Sequence, residues 1–249
     1  MYVNRVSAVT FDVFGTLIEF KSTFDVRKCY KASYDIFISK GLNLGSFDEF
    51  YNACLREWFK VLEKRFSSGK DTTREVFYFY VLKRFGYDFN PNSSIILEAI
   101  YGFYKVFASG IKFSKETLEK MKMLKKRVKI GIISDFVYPP SLREILKKTG
   151  LEEVADCIII SSEIGWAKPS LQIFNAALKC LDVNPKYVVH VGDRLDSDIF
   201  GAKRLGMKTI WIRRTVHPDE PLDSVRLKAK PDFEADSIDD AFSILFKIV

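Results

Sequence analysis

The sequence predicts an α/β protein: a doubly wound, parallel, Rossmann-like sheet with an inserted all-helical cap domain. Two observations predict this fold class. From residue 114 onward, strand-like and helix-like segments alternate, as they do in a parallel sheet flanked by helices. Between the first and second strands, helical periodicity extends from about residue 24 to 107 without a strand. We therefore predict a core domain at residues 1–16 and 114–249, and a helical cap at residues 17–113.

The core domain begins with a predicted strand at residues 6–14, which are apolar and β-rich, and Gly15-Thr16 ends it. After the cap, the predicted strands are residues 128–134, 157–161, 187–191 and 209–213. The helices predicted between and after them are residues 114–126, 141–149, 170–181, 198–205 and 239–246. Ser114 is a suitable N-cap for the first of these helices, and Gly150 a suitable end for the second.

The cap is predicted from four helical segments separated by loops rich in Gly, Asn, Ser and Pro. The segments are residues 24–40, 47–66, 72–85 and 95–107. The cap is unusually aromatic, since residues 17–113 hold 23 of the chain's Phe, Tyr and Trp side chains. We expect most of these rings to pack between helices rather than to bind a cofactor.

The composition excludes several classes of protein. Hydrophobic residues make up 47% of the 249, with 22 Phe, 11 Tyr and 3 Trp, so the chain is not a disordered protein. No apolar run approaches the ~18 residues of a membrane span, and no signal peptide is evident, so we expect a cytoplasmic protein without a membrane partner. The four cysteines form no C-x-x-C pair, and we expect reduced, buried side chains rather than a zinc site or disulfides.

The net charge of +7 is compatible with nucleic-acid binding or with attraction of phosphorylated substrates. The densest basic run, residues 120–129, is interleaved with apolar side chains, which is typical of the solvated face of a helix. We therefore expect a small-molecule substrate and no nucleic-acid partner. A single Gln and two His beside 39 Lys+Arg and 32 Asp+Glu suggest a thermophilic source.

Four polar clusters follow or flank predicted strands, where ligands bind in sheets of this kind. They are residues 12–16 (D-V-F-G-T), Ser134-Asp135, Lys168-Pro169 and residues 192–198 (G-D-R-L-D-S-D). Each cluster alone is a weak signal, because an Asp after a strand is usually a turn former or a helix cap. Their joint occurrence at one edge of one sheet predicts an active site.

The residue types in these clusters suit an aspartyl nucleophile. Asp12 can attack an electrophilic phosphorus or carbon, and Lys168 can neutralise the developing oxyanion. The hydroxyl of Ser134 or Thr16 can hold a transferring oxygen. Mg²⁺ is a hard cation that prefers oxygen ligands, and carboxylates can supply them. The candidate metal-ligating carboxylates are Asp12, Asp193 and Asp198. His190, within a predicted strand, is expected to be a hydrogen-bonded core histidine, and Asp196 a helix cap or a solvated loop charge.

The motifs F-D-V-F-G-T-L, I-I-S-D, K-P and G-D-R-L-D-S-D, in this order, closely resemble those of the haloacid dehalogenase superfamily. In that family a helical cap inserted between the first and second motifs closes over the site. The resemblance implies a hydrolase with Asp12 as nucleophile and with Ser134 and Lys168 as ligands of the transferring group. The substrate-binding residues would be Thr16, Ser134, Asp135 and Lys168. The metal ligands would be Asp12, Asp193, the Phe14 carbonyl and, directly or through a second layer, Asp198.

The chain departs from both main branches of that family. Phosphatases usually read D-x-D, and the second Asp is the general acid/base, but here that position is Phe14. The 2-haloacid dehalogenases carry an aromatic residue there, but they also need an Arg early in the cap. Residues 39–47 contain only Lys40 as a cation. The dehalogenases also usually read S-N where this chain has the acidic fourth motif.

Three hypotheses follow. The first is a Mg²⁺-dependent phosphatase that acts on a small phosphorylated metabolite through a phospho-aspartate. It is favoured because clustered carboxylates without a cation repel one another. The second is metal-independent hydrolysis of a carbon–halogen bond by a 2-haloacid dehalogenase. The third is a phosphate-ligand binding protein with low turnover. The sequence leaves the oligomeric state open.

Overall fold

The computed structural model of the chain describes residues 6–213 and 229–249. Eight strands lie in these ranges: β1 (Ala8–Phe11), β2 (Glu19–Phe20), β3 (Ile111–Lys112), β4 (Lys129–Ser134), β5 (Cys157–Ile160), β6 (Val188–Gly192), β7 (Lys208–Ile212) and β8 (Phe233–Ala235). Six of them form one sheet in the order β5-β4-β1-β6-β7-β8, and β2 pairs with β3 in a separate two-stranded ribbon. All five pairings in the larger sheet are parallel.

The order of the strands confirms the predicted doubly wound sheet. The chain starts at the centre with β1, adds β4 and β5 on one side, and then adds β6, β7 and β8 on the other. Phe11, the last residue of β1, lies opposite Ile132 of β4 and Val191 of β6. Because the order reverses at β1, the loops after β1, β4 and β6 diverge there and leave the crevice in which such sheets bind ligands.

Helices follow the strands of this sheet, as the alternating pattern predicts. They are α5 (Lys115–Lys125), α6 (Pro139–Thr149), α7 (Leu151–Val154), α8 (Ser161–Ile164), α9 (Leu171–Leu181), α10 (Phe200–Arg204) and α11 (Ile238–Ile248). Ser114 caps α5 by accepting a hydrogen bond from the Glu116 N–H, and Gly150 ends α6 with φ of 75°, so both predictions are confirmed. In the described ranges, no helix has both the length and the apolar character that crossing a membrane requires.

The helical segment contains four helices: α1 (Val26–Ser39), α2 (Phe47–Ser68), α3 (Arg74–Lys83) and α4 (Ser94–Ser109). Local sequence explains their ends. Ser46 and Glu49 form a reciprocal capping box at the start of α2, and Gly69 ends that helix in the left-handed conformation. Rings pack between the helices: Phe37 of α1 contacts Phe50 of α2 and Tyr78 of α3. The expectation that the aromatic residues pack between helices is therefore confirmed for these rings.

The described chain divides into two compact units. Residues 20–112 form the helical unit, and the described residues on either side of that range form the sheet unit. The predicted core domain includes residues 1–5 and 214–228, which lie outside the described residues.

Several elements differ from the sequence-based prediction. The strand predicted at residues 6–14 is shorter in the structure, where β1 spans Ala8–Phe11, and the sequence does not predict β2, β3 and β8. The helix predicted at residues 198–205 begins as a π-helix, Leu195–Ile199, before α10. Short strands form where a neighbour accepts their hydrogen bonds, and a wide helical turn depends on the packing around it, so local sequence patterns do not reveal either.

One pair of cysteines contradicts the expectation of reduced side chains. Cys157 at the start of β5 and Cys180 in the last turn of α9 form a disulfide, with Cα atoms 6.0 Å apart. The prediction failed because the two residues are 23 positions apart and meet only when α9 packs against β5. Cys29 and Cys54 in the helical unit are buried and free, as expected.

The disulfide closes a loop of moderate length, so it should stabilise the sheet unit by restricting the unfolded chain. For a loop of this size the chain-entropy model gives about 3 kcal/mol. We therefore expect Cys180→Ser, at an exposed position, to lower the free energy of unfolding by about that amount in urea denaturation. Adding reductant should destabilise the wild type equally and leave the variant unchanged. Equal stability of oxidised and reduced wild type would contradict the prediction.

Candidate active site

Asp12 directly follows the central strand β1. Its N–H donates to the Val191 carbonyl of β6 at 2.9 Å, which continues the strand ladder by one residue and fixes the backbone there. The chain then turns sharply, because Gly15 has φ of 91° and its N–H donates to the Ile18 carbonyl at 2.8 Å. A left-handed φ of this kind favours glycine. The Asp12 carboxylate is thus held at the carboxyl end of β1 and is only 7% exposed.

Lys168 links two buried carboxylates. Its Nζ donates to Asp12 Oδ1 at 2.5 Å and to Asp198 Oδ1 at 2.6 Å. A third, longer hydrogen bond of 3.3 Å reaches the Ile133 carbonyl of β4. The Lys168 side chain is 3% exposed, so these contacts are shielded from water and are stronger than surface ion pairs. Asp135 holds the backbone of the same residue, since its Oδ1 accepts from the Lys168 N–H at 2.9 Å.

Asp198 is held from several directions. Its Oδ2 accepts from the Arg194 N–H at 3.1 Å, and its Oδ1 lies 3.3 Å from His190 Nε2. His190 Nδ1 in turn lies 2.9 Å from the Thr10 hydroxyl. His190 is therefore a hydrogen-bonded core histidine, as predicted, and one of its partners belongs to the site. Gly192 allows this arrangement, because a Cβ there would lie 2.4 Å from the Asp198 Cβ.

Three carboxylates converge at this edge of the sheet. Asp12, Asp193 and Asp198 each offer one oxygen, and these oxygens lie within 4.8 Å of one another. If all three are ionised, Lys168 neutralises only one of their charges. An all-oxygen donor set with excess negative charge fits a hard divalent cation such as Mg²⁺, so the residues present are compatible with the predicted metal. Asp198 already accepts three hydrogen bonds, which reduces its capacity for a metal.

The ionisation of the two carboxyls that contact Lys168 differs. Burial raises the pKa of Asp12, Lys168 opposes this without cancelling it, and Asp198 adds to the rise. Burial alone would also raise the pKa of Asp198, but Lys168 and His190 outweigh it and hold the pKa below its usual range. A further cation at the cluster would favour the ionised form of Asp12, which is the form that can act as a nucleophile.

The other predicted site residues lie near the same edge. Ser134 is the last residue of β4 and is 1% exposed, and Asp135 follows it. Thr16 lies in the turn after β1 and is 3% exposed, and no described residue hydrogen-bonds its buried Oγ1. Phe14 is half-buried, and its ring stacks on Phe136 with centroids 5.3 Å apart.

One buried ion pair was not anticipated from the sequence. Asp196 is 0% exposed and accepts two hydrogen bonds from the Arg194 guanidinium, at 3.0 and 2.7 Å. It is therefore not a solvated loop charge. The Arg194–Asp196 pair closes the loop in which the Arg194 N–H donates to Asp198. Trp211, which lies in β7, contacts the same loop, because its Nε1 donates to the Asp193 carbonyl at 2.9 Å. The motif spacing located this loop, but the two-residue separation of Arg194 and Asp196 does not predict an ion pair.

Comparison with known proteins identifies the family of this chain. A family model described as haloacid dehalogenase-like hydrolase matches residues 6–206. The chain is 30% identical over 214 residues to a glyceraldehyde 3-phosphate phosphatase of Pyrococcus furiosus, a match that covers 85% of this chain and 82% of that protein. It is 27% identical over 243 residues to a ribulose-1,5-bisphosphate 5-phosphatase of Halopiger xanaduensis, covering 93% and 96% of the two chains.

A solved structure supports the fold alone. The crystal structure of a 2-haloacid dehalogenase from Pseudomonas syringae matches with a TM-score of 0.68, over 98% of this chain and 100% of that one. The sequence identity in this match is 21%, so it does not bear on activity.

The central position of Lys168 leads to a test by stability. Lys168→Met leaves Asp12 and Asp198 buried without their cation, and breaking such a pair costs about 3–5 kcal/mol. We therefore expect the free energy of unfolding, measured by urea denaturation in the presence of a chelator, to fall by that amount. Adding Asp12→Asn should recover part of it, because it removes one of the uncompensated charges. The control is Lys148→Met, which breaks an exposed pair with Glu144 and should cost less than about 1 kcal/mol. Equal losses for the two lysine variants would contradict the prediction.

Proposed function

This chain belongs to the haloacid dehalogenase-like hydrolases, and on that premise we propose that it is a Mg²⁺-dependent phosphatase of a small phosphorylated metabolite. The observation that carries the proposal is the buried cluster of Asp12, Asp193 and Asp198, two of which, Asp12 and Asp198, contact the Lys168 ammonium. Such a cluster combines a nucleophile with two kinds of positive charge for a phosphoryl group, one from lysine and one from a metal. The names of the two curated relatives, both phosphatases of small sugar phosphates, support the same chemistry.

The first step of the proposed reaction is attack by a carboxylate oxygen of Asp12 on phosphorus. The new O–P bond forms as the ester O–P bond breaks, and the leaving oxygen departs with the bonding electrons and then takes a proton from water. Lys168 orients Asp12 through its 2.5 Å hydrogen bond and supplies a positive charge that stabilises the charge on the phosphoryl oxygens. Ser134, buried at the end of β4, and Thr16, buried in the turn after β1, are proposed to hold a phosphoryl oxygen through their hydroxyls.

The second step is hydrolysis of the aspartyl phosphate. A water oxygen attacks phosphorus, the Asp12–phosphorus bond breaks, and inorganic phosphate leaves with Asp12 restored as a carboxylate. Mg²⁺, held by Asp12, Asp193 and the Phe14 carbonyl, would supply positive charge to the phosphoryl oxygens. Asp198 is proposed mainly to position Lys168, because its two oxygens already accept from Lys168, His190 and the Arg194 N–H. Asp135 is proposed to position the Lys168 backbone rather than to touch the substrate.

A second candidate function is hydrolysis of a carbon–halogen bond. The observation that favours it is Phe14, an aromatic residue stacked on Phe136 where a phosphatase usually carries its general acid. Against it stands the acidic cluster, since a metal-free dehalogenase would have only the single charge of Lys168 to offset three neighbouring carboxylates. The third candidate, a phosphate-binding protein with low turnover, would have the same cluster and the same missing acid.

A turnover panel separates the three candidates. We expect the purified chain to hydrolyse phosphate esters with Mg²⁺ and to lose this activity in a chelator. Aryl phosphates, sugar phosphates and short 2-haloacids should be compared with and without Mg²⁺, with released phosphate or halide as the readout. Asp12→Asn should abolish turnover, because the amide is a far poorer nucleophile, and circular dichroism should show an intact fold. Metal-independent halide release would favour the dehalogenase. Saturable phosphate binding without turnover would favour the binding protein.

Phe14 leads to a prediction about leaving groups. A positioned general acid contributes about 10²–10⁴ in rate, and poor leaving groups depend on it most. We expect the wild type to hydrolyse aryl or acyl phosphates but to be weak on alkyl phosphates, with a steep dependence on leaving-group pKa. Phe14→Asp should raise alkyl-phosphate turnover and flatten that dependence.

The matched control for this experiment is Phe14→Leu, which loses the ring stacked on Phe136 but adds no acid. It separates the effect of a proton donor from the effect of lost packing. A flat leaving-group series in the wild type would contradict the prediction, because another group would then supply the proton.

A further inference from the structure

The helical unit contains a buried arginine surrounded by aromatic rings. Arg74 is the first residue of α3 and is 5% exposed. Its guanidinium carbon lies 4.3 Å from the ring centroid of Phe103 and 4.9 Å from that of Phe77. Six rings lie within 6 Å of it, and we call them the Arg74 cage: Tyr30, Trp58, Phe77, Tyr78, Phe103 and Tyr104. The cage draws on all four helices of the unit.

The charge of Arg74 has no anionic partner among the described residues. Arginine stays protonated in proteins, so the charge cannot be removed by loss of a proton. Burial raises the pKa of Tyr30 to about 12 and that of Cys29 to about 12, so neither side chain supplies a negative charge near neutral pH. Arg65 of the same unit contrasts with it, because its guanidinium forms a two-pronged ion pair with Asp71 at 2.8 and 3.1 Å.

The hydrogen-bonding capacity of Arg74 is also incompletely used. Its Nε donates to the Tyr104 hydroxyl at 3.3 Å, but its buried Nη1 reaches no acceptor among the described residues. Contacts with ring faces offset part of the cost of burying a cation, but they do not replace hydrogen bonds to the N–H groups. Arg74 therefore combines two features that are costly in a protein interior, an unpaired charge and an unsatisfied donor.

Both costs would be removed by an oxyanion bound at Nη1. Carboxylate and phosphate groups match the planar fork of a guanidinium and form its strongest hydrogen bonds. The cage lies towards one end of the bundle, because Tyr30 is in the second turn of α1 and Tyr104 is near the end of α4. Tyr30 and Tyr104 are each 5% exposed, so these two residues of the cage keep a small contact with solvent.

We propose that Arg74 and its aromatic cage form an anion-binding site of the helical unit, which takes the carboxylate or phosphate group of a small metabolite. The proposal goes beyond the phosphatase function, since it assigns a second anion site that shares no residue with the cluster at Asp12. It also explains why a cation without a carboxylate partner lies among buried aromatic rings.

Trp58 provides a direct readout, because its ring lies 5.7 Å from the Arg74 guanidinium carbon. The full chain is titrated with inorganic phosphate and, separately, with glycolate, in a chelator and without substrate, while tryptophan fluorescence is recorded. Trp58→Phe identifies the part of the signal that comes from the cage. We expect a saturable change in fluorescence with at least one anion. A response to phosphate indicates a phosphate site, and a response to glycolate indicates a carboxylate site.

Variants of Arg74 test the assignment. Arg74→Met should raise the dissociation constant for the anion about 100-fold, because it removes the charge and the planar guanidinium donors. Arg74→Lys should raise it about tenfold. The control is Arg27→Met, which removes an arginine that also stacks on rings, those of Phe47 and Tyr51, but that is exposed and paired with Asp48. It should leave the titration unchanged.

Stability measurements separate a binding role from a structural one. Without added anion, Arg74→Met should be at least as stable to urea as the wild type, because it removes an unpaired buried charge. With saturating anion, the wild type should gain more stability than Arg74→Met, because only the wild type binds the anion at the cage. The proposal is overturned if neither anion gives a saturable cage signal in the wild type, or if Arg74→Met binds as tightly. None of these readouts requires turnover, so a failed turnover panel would refute the phosphatase function and not this site.

Discussion

The structure depends on one buried interaction, the contact of the Lys168 ammonium with the carboxylates of Asp12 and Asp198. Each carboxylate comes from a different segment, one after β1 and one in the π-helix after β6. Lysine therefore joins three loops at the point where the strand order reverses. Without it, the carboxylates would repel one another in a medium of low polarity, and the nucleophile would not be held at the strand end. Asp135, His190 and the Arg194 N–H each support one member of this contact.

The same cluster explains the choice between the candidate reactions. A site with three clustered carboxylates and one buried lysine carries more negative charge than the lysine can balance, and a divalent cation is the simplest compensation. Phe14 is the residue that does not fit an ordinary phosphatase, since its ring stacks on Phe136 and has no proton to donate. These features together suit chemistry in which a good leaving group departs without a protein acid.

The two units use buried cations differently. In the sheet unit, Lys168 is balanced by carboxylates and acts within the reaction that we propose. In the helical unit, Arg74 has aromatic rings around it and no described carboxylate partner. In our proposals, a divalent cation completes the first arrangement and an oxyanion completes the second. Aromatic rings tolerate a nearby cation because their faces are electron-rich, so they can line such a site without cancelling its charge.

The sheet, the helical insertion and the strand-end motifs can be predicted from the amino-acid sequence alone. Apolar β-rich runs, helical periodicity and polar clusters after strands are local patterns, and they indicate Asp12, Ser134, Lys168 and Asp193 as candidate site residues. Which of these groups touch one another depends on the tertiary structure. It brought Lys168 between Asp12 and Asp198, paired Cys157 with Cys180, and placed Arg74 among rings from four helices. Such contacts join residues far apart in the chain, and they depend on how helices pack and strands pair rather than on any local pattern.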